Sequence, residues 1–279
     1  MRTHRPAALL VLGILLLPRV SAPFDGRDEE FAADLTKGSL VLVPVFVNGR
    51  GPYRFVLDTG ATTTMLDNDV AGAAGLRPSG TLQIMTIAGA FAAPTGVVDQ
   101  MSVGGIRLSA VRVGWTSLGE IRRDDRRIAG ILGQDVLVRF TVTVDYRRGR
   151  ARLGSDPCQR GGTTVAVAWA AGRPMLAAQL HAPGLAGDAR LVLDSAAHAL
   201  IVFDEERGRG GTMSIGTHQS SARGVVVPDA QLVIGGLHVA GPAVALPAAA
   251  AREETGLLPT AWFSRVCIDG PRGTVTLTP

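Results

Sequence analysis

After residue 37, the chain consists mainly of short runs in which apolar and polar residues alternate. Glycines or prolines separate these runs. Alternation with a period of two is typical of β-strands that bury one face. Helical periodicity is scarce, and Asp67 to Leu76 is the best short helix in the first half. With 35 glycines, 16 prolines and 5% aromatic residues, the sequence predicts an all-β, turn-rich globular fold with short helices.

The chain also repeats itself. Residues 54–61, RFVLDTGA, correspond to residues 190–197, RLVLDSAA. Further along, residues 130–153 correspond to residues 256–277, and each segment has an apolar pair, a short helical turn and a hairpin. An internal repeat of this length predicts two copies of one β unit. We therefore expect an N-terminal lobe at residues 37–155, a connector at 156–160 and a C-terminal lobe at 161–279.

The N-terminus is typical of an exported protein. Arg2 and Arg5 form a basic segment, the apolar run Ala7 to Leu17 is too short to span a bilayer comfortably, and small residues precede Pro23. These features predict a signal peptide at residues 1–22 and a secreted or periplasmic protein without stable membrane association after cleavage. Because proline is unfavourable directly after a cleavage site, an uncleaved N-terminal membrane anchor is the alternative. Residues 23–36 are expected to form an extended or loosely ordered arm.

Two aspartates follow equivalent apolar strands. Asp58 comes after Phe55-Val56-Leu57, and Asp194 comes after Leu191-Val192-Leu193. For either carboxylate alone, a surface turn capped by the Asp is the simpler interpretation. The duplication instead favours two loops that face each other across a pseudo-twofold axis. Adjacent carboxylates share a proton, so one can act as general base on a water while the other protonates a carbonyl.

Neighbouring residues suit this chemistry. Thr59 and Ser195 each supply a hydroxyl that could tie one loop to the other, and Gly60 allows a backbone N–H to approach a carboxylate closely. Ile131-Leu132-Gly133 is expected to brace the loop of Asp58 from below. Ala196 occupies the position in the second loop that Gly60 occupies in the first.

With these residues, the sequence resembles the retropepsin-like aspartic peptidases: FVLDTGAT at residues 55–62 is followed by Ile131-Leu132-Gly133. The resemblance implies a two-lobed, pseudo-twofold β-barrel fold in which one chain carries both halves, as in pepsins. It implies a bacterial, exported aspartic endopeptidase with Asp58 and Asp194 as catalytic residues, a peptide or protein substrate, no cofactor and no metal. A monomer is expected, and pairing of two first copies from separate chains is the alternative.

The candidate flap is the hairpin from Ile84 to Val98, with a second hairpin from Met213 to Val227 in the other copy. Each hairpin is followed by a predicted strand pair around a Gly-Gly turn, at Gly104-Gly105 and Gly235-Gly236. An extended peptide could add as a strand beneath such a flap. Phe91 either covers the pocket or has a plain packing role. The residues predicted at or near the tip of the first flap are Ile87, Ala88, Gly89, Ala90 and Phe91.

The second copy departs from the family pattern. Its triplet is Asp194-Ser195-Ala196, with Ala in place of Gly, and its brace is Leu257-Leu258-Pro259, with Pro in place of Gly. These changes bring full activity into question. They leave open an alternative function, a peptide- or protein-binding relative on the same scaffold that is catalytically weak or inactive.

Cys158 and Cys267 lie near the ends of the two copies, and in an oxidising compartment they predict a disulfide, with two free buried thiols as the alternative. The net charge of +4 falls to +1 when three arginines leave with the signal peptide, because 28 − 3 = 25 basic residues then face 24 acidic ones. A nucleic-acid partner is therefore not expected. The sequence has no Gly-x-Ser-x-Gly elbow, no phosphate-binding loop and no clustered metal ligands, so a serine hydrolase and a zinc enzyme are poorly supported.

Overall fold

The computed structural model describes residues 29–36, 40–206, 213–216, 221–248 and 252–279. The predicted signal peptide at 1–22 and the start of the arm lie outside the described residues, as does part of the second hairpin. Within the described residues, no helix combines the length and the apolar character needed to cross a membrane. The rest of the arm is extended and begins with the first strand of the fold.

The described part of the first half contains eleven strands and two short helices. They are β1 (Glu29–Ala32), β2 (Asp34–Leu35), β3 (Val41–Val47), β4 (Arg50–Leu57), β5 (Met65–Asp67), α1 (Asn68–Ala73), β6 (Gly80–Thr86), β7 (Gly89–Val103), β8 (Ile106–Thr116), β9 (Ile128–Leu132), α2 (Gln134–Leu137), β10 (Thr141–Asp145) and β11 (Arg150–Gly154), with a 3-10 turn at Ile121–Arg123.

The described part of the second half contains eleven further strands. They are β12 (Thr163–Ala166), β13 (Ala168–Ala170), β14 (Arg173–Ala182), β15 (Leu185–Asp194), β16 (Leu200–Phe203), β17 (Met213–Gly216), β18 (Ser221–Ile234), β19 (Leu237–Leu246), β20 (Gly256–Pro259), β21 (Arg265–Asp269) and β22 (Thr274–Thr278), with a 3-10 turn at Thr260–Trp262.

Each half forms an eight-stranded sheet with the same topology. The first has the order β2-β3-β4-β9-β5-β8-β7-β6 and closes through β3 and β7, while the second has the order β13-β14-β15-β20-β16-β19-β18-β17 and closes through β14 and β18. In both sheets the strand that precedes the Asp pairs in parallel with the brace strand. The all-β, two-lobed barrel fold predicted from the sequence is therefore confirmed, although the exact lobe limits stay a prediction.

A third sheet joins the halves, in the order β1-β11-β10-β21-β22-β12. Each half contributes three strands, and β10 pairs with β21 at the centre, where Thr143 faces Cys267. The cysteines form a disulfide between Cys158, in the segment that connects the lobes, and Cys267 in β21. The arm is tied to this sheet because β1 pairs antiparallel with β11.

Local sequence signals account for several elements. Helix α1 lies within the predicted span, and Asp67 caps it by accepting a hydrogen bond from the backbone N–H of Asp69 at 3.1 Å. The predicted Gly-Gly turns connect β7 to β8 and β18 to β19, and Gly104 and Gly235 have positive φ angles of 59° and 54°. The apolar faces of the strands meet in the interior, where Phe55, Phe140 and Phe263 are fully buried.

Candidate active site

Asp58 and Asp194 lie at the same point of the two barrels. Asp58 directly follows β4 and Asp194 ends β15. One carboxylate oxygen of Asp58 accepts hydrogen bonds from the backbone N–H groups of Gly60 and Ala61 at 2.8 and 2.9 Å. Asp194 is held in the same way by the next backbone N–H groups along its own loop, at 2.8 and 3.1 Å. Both loops therefore fix their carboxylates with the same backbone geometry.

The two loops are bonded to each other through Thr59 and Ser195. The backbone N–H of each residue donates to the hydroxyl of the other at 3.0 Å. Each hydroxyl in turn donates to a backbone carbonyl of the opposite lobe at 2.6 Å, Thr59 to Leu193 and Ser195 to Leu57. Both side chains are buried, so this reciprocal network holds the ends of β4 and β15 against each other without help from water.

The close approach of the loops is also visible at Gly60. A Cβ atom built on Gly60 would lie 2.5 Å from the Cγ and one carboxylate oxygen of Asp194. The loop of Asp58 therefore packs directly against the carboxyl group of Asp194, and both aspartates line the same cleft. No side chain larger than hydrogen fits at residue 60 unless that carboxyl group moves.

Burial dominates the electrostatics of the pair. Together with the negative charge of Asp194, burial raises the pKa of Asp58 to about 8. Burial likewise raises the pKa of Asp194 above its ordinary value. The backbone N–H groups of the loops and the guanidinium of Arg173 act in the opposite direction, lowering the pKa of both carboxyls. The pair can therefore hold a proton well above the pH at which an exposed Asp loses it.

The parallel pairing of β4 and β9 places the predicted brace, Ile131-Leu132-Gly133, next to the loop of Asp58. The carbonyl of Leu132 accepts the backbone N–H of Asp58 at 3.0 Å, and Ile131 lines the cleft. A Cβ on Gly133 would lie 2.6 Å from the backbone of Thr63, so this residue lets the brace pass close beneath the loop. The second copy has Pro259 here, buried and paired with Asp194 in the sheet.

Residues 43–136 match the model of a family described as aspartyl protease. The matched segment begins in β3 and ends in α2, so it includes Asp58, its loop and the brace. This match supports an aspartic-protease-like family for the chain, in agreement with its all-β fold. Asp194 lies in the second copy, outside the matched segment. No curated protein matches the chain.

The Ala at position 196, which departs from the family triplet, keeps the hydrogen bonding of the loop. The backbone N–H of Ala196 donates to Asp194 at 2.8 Å, the same length as the bond from Gly60 to Asp58. Neither residue has a positive φ, so an alanine requires no strained backbone at this position. The methyl group of Ala196 packs against an apolar cluster of the first lobe that contains Leu40 and Ile131.

A cleft of about 870 Å³ runs between the lobes and contains both aspartates. Its walls are largely apolar, with Met65 and Ile131 from the first lobe and Ile201 and Leu257 from the second. Near one end, His198 and Asp124 approach each other across the lobes at 3.5 Å. No cluster of residues suited to a metal ion is found among the described residues.

The hairpin of β6 and β7 reaches over this cleft. Its turn is Ile87-Ala88, whereas Gly89 and Ala90 belong to β7, so the tip lies slightly earlier in the chain than predicted. Ile87 lines the cleft. Phe91 does not; it is partly buried and packs against an apolar cluster of the first lobe, which is the packing alternative.

Several residues of the site received no role from the sequence. The side-chain amide of Gln134 donates to the carbonyl of Thr59 at 3.0 Å, and the carboxylate of Asp135 accepts from the backbone and hydroxyl of Thr64 at 2.7 to 3.0 Å. Their position directly after Gly133 was the only available signal. Arg173, at the start of β14, lines the cleft near the dyad, and its partner Glu254 is buried.

Proposed function

We propose that the protein is an aspartic endopeptidase that hydrolyses peptide bonds with a water activated between Asp58 and Asp194. The observation that carries this proposal is the reciprocal Thr59–Ser195 hydrogen bonding, which holds two carboxylates from related loops against each other in one cleft. A pair of solvated or separately salt-bridged acids would not share a proton in this way.

The chemistry uses the dyad in its singly protonated form. The ionised carboxylate takes a proton from water as the water oxygen attacks the carbonyl carbon of the scissile bond. The protonated carboxyl donates its proton to the carbonyl oxygen, giving a tetrahedral diol. As the C–N bond breaks, one diol hydroxyl gives its proton to the dyad, and the dyad gives a proton to the amine nitrogen. The dyad is then singly protonated again.

The substrate class follows from the cleft. Apolar walls on both sides of the dyad suit hydrophobic side chains, and the β6–β7 hairpin offers a strand against which an extended peptide can add. We expect the retropepsin-like motif around Asp58 and the equivalent loop around Asp194 to work within a single chain, so that the active form is a monomer.

We also propose that the protein acts after export, in the periplasm or outside the cell. The N-terminal sequence and the Cys158–Cys267 disulfide support this location, because disulfides persist mainly in oxidising compartments. An uncleaved N-terminal anchor is the alternative. Mass determination of the protein purified from its native cells, with cleavage after residue 22 as the expected result, distinguishes the two.

The test is peptide cleavage from a diverse library between pH 3 and 8, with Asp58→Asn and Asp194→Asn as variants. Each should lose about 10³-fold in kcat/KM, within the range for loss of general acid–base catalysis. Asp69→Asn is the control, since Asp69 is exposed and lies on α1 away from the cleft. Retention of cleavage by both dyad variants would contradict the peptidase proposal. So would a wild-type protein that cleaves no peptide of the library.

A peptide-binding protein without cleavage is the second candidate. Pro259 supports it, because proline has no N–H, whereas its counterpart Gly133 donates to the hydroxyl of Thr64 at 3.1 Å. Ala261 stands where the first copy has Asp135, so the second brace lacks that carboxylate as well. Calorimetric binding of library peptides by the wild-type protein, without any product by mass spectrometry, would favour this candidate.

A further inference from the structure

The tip of the β6–β7 hairpin is bonded to the opposite lobe. Arg252, in the segment that precedes β20, donates from Nη2 to the backbone carbonyl of Thr86 at 2.7 Å. Thr86 is the last residue of β6, next to the turn at Ile87-Ala88. The first lobe's hairpin is therefore hydrogen-bonded to the second lobe above the cleft.

The guanidinium of Arg252 is fixed in place by second-lobe residues. Its Nη1 donates to Glu254 at 3.1 Å, and its plane lies 4.7 Å from the ring centre of Phe203. Glu254 is almost fully buried, and the same carboxylate oxygen also accepts a hydrogen bond from Nη2 of Arg173 at 3.0 Å. Arg252 is itself only 11% exposed, so it presents a rigid donor to the hairpin.

An apolar contact accompanies this hydrogen bond. Ile87, in the turn, packs against a cluster of buried second-lobe residues. The cluster consists of Ala170, Met175, Val192, Ile201, Val244, Leu246 and Leu257. The hairpin tip therefore contacts the second lobe through one directional hydrogen bond and through one partly buried side chain.

We infer that Arg252 is a positioning residue that holds the β6–β7 hairpin closed over the dyad through the carbonyl of Thr86. Its importance for catalysis rests on the proposed function; its control of the hairpin does not. A substrate enters when the Arg252–Thr86 bond breaks and Ile87 leaves its cluster, and both contacts re-form over the bound peptide.

One detail of Arg252 suits a contact that opens. Its buried Nε has no hydrogen-bond partner among the described residues, although Nη1 and Nη2 both have one. A buried donor without a partner is unfavourable. Among the described residues, the closed hairpin therefore leaves one donor of the guanidinium unpaired, which lowers the stability of the closed state relative to an open one.

The first experiment measures the position of the hairpin directly and requires no substrate. Spin labels are attached at Ala90→Cys, beyond the turn, and at Ala177→Cys, on β14; both positions are exposed. We expect a single narrow distance distribution in the parent protein and a second, longer population in Arg252→Gln. The matched control is Arg122→Gln, which loses an ion pair to buried Asp67 and a bond to the backbone carbonyl of Ile128 within the first lobe; Arg122 does not itself line the cleft.

Ile87→Ser provides an independent variant, because it removes the apolar contact and leaves Arg252 and its partners intact. It should also give the longer population, which would support the inference even if Arg252→Gln fails to fold. A distribution unchanged from the parent in either folded variant would overturn it. So would equal broadening in Arg122→Gln, since that result would indicate general loosening.

Kinetics then separate positioning from structure. With a cleavable peptide, Arg252→Gln should raise KM about 10-fold and lower kcat by a smaller factor, and Arg252→Lys should recover part of the loss. A fall in kcat alone, without recovery by lysine, would contradict a positioning role. If the wild-type protein cleaves no peptide, the proposed function fails, while the distance measurement still decides the role of Arg252.

Discussion

Thr59 and Ser195 donate their backbone N–H groups to each other's hydroxyls, both at 3.0 Å. These residues are 136 positions apart and belong to different lobes. Each hydroxyl also donates to a strand carbonyl of the other lobe, so one pair of side chains supplies four of the bonds between the loops. The lobes are therefore bonded to each other at the point where the aspartates meet.

Removing one hydroxyl of this network should destabilise the protein. Ser195→Ala leaves the buried N–H of Thr59 without its acceptor, and we expect the free energy of unfolding to fall by about 1–3 kcal/mol. Thr164→Ala is the control, since its hydroxyl pairs only with that of Thr276. Chemical denaturation measures both. The double variant with Thr59→Ala should lose less than the sum of the single variants, and strictly additive losses would mean that the two residues act independently.

The glycine that follows Thr59 should tolerate no side chain. In Gly60→Ala the new methyl would meet the carboxyl of Asp194 at 2.5 Å, so we expect peptide cleavage to fall at least about 10-fold as the carboxyls move apart. The counterpart variant Ala196→Gly keeps its N–H bond to Asp194 and should keep most activity. Steady-state kinetics on both compare the two positions. Equal tolerance would show that the dyad is looser than the structure indicates.

Activity should depend on pH through the dyad. The active form holds one proton, and because burial raises the pKa of Asp58 to about 8, cleavage should fall as the pH rises through that value. On the acid side, activity should fall where the second carboxyl gains its proton, above the range of an ordinary Asp, because burial also raises the pKa of Asp194. Profiles of kcat/KM against pH measure both falls, which form the acid limb and the alkaline limb of the profile.

His198 provides a specific test of the acid limb. Its charge lowers the pKa of Asp194, so His198→Gln should move the acid limb to higher pH and leave the limb near pH 8 in place. Asp124 faces His198 across the lobes and must be kept unchanged in the experiment. A shift of the upper limb instead would mean that His198 acts mainly on Asp58.

The disulfide should contribute substantially to stability. It joins Cys158 in the connecting segment to Cys267 in β21, which are 109 positions apart in the sequence. Replacing both cysteines with serine should lower the free energy of unfolding by about 2–5 kcal/mol, largely because the unfolded chain is no longer cross-linked. Thiol titration of the exported, denatured wild-type protein is the control. Two free thiols there would contradict the bond.

Much of the fold could be predicted because local sequence patterns specify it. Alternating residues give the strands, Gly-Gly pairs give the turns, and Asp67 gives the cap of α1. The duplication then added a long-range expectation, that Asp58 and Asp194 occupy equivalent loops. The tip of the flap was less predictable, because several small residues follow each other between Ile87 and Ala90 and sequence does not choose among their turns.

The sequence by itself determined the strands, their repeat and the two carboxylates that end equivalent strands. Only the packing of the lobes decided that Gly60 lies against Asp194 and that Arg252 bonds to the hairpin. These contacts join residues far apart in the chain. Their geometry depends on how two barrels meet, and periodicity along one strand contains no information about that angle or distance.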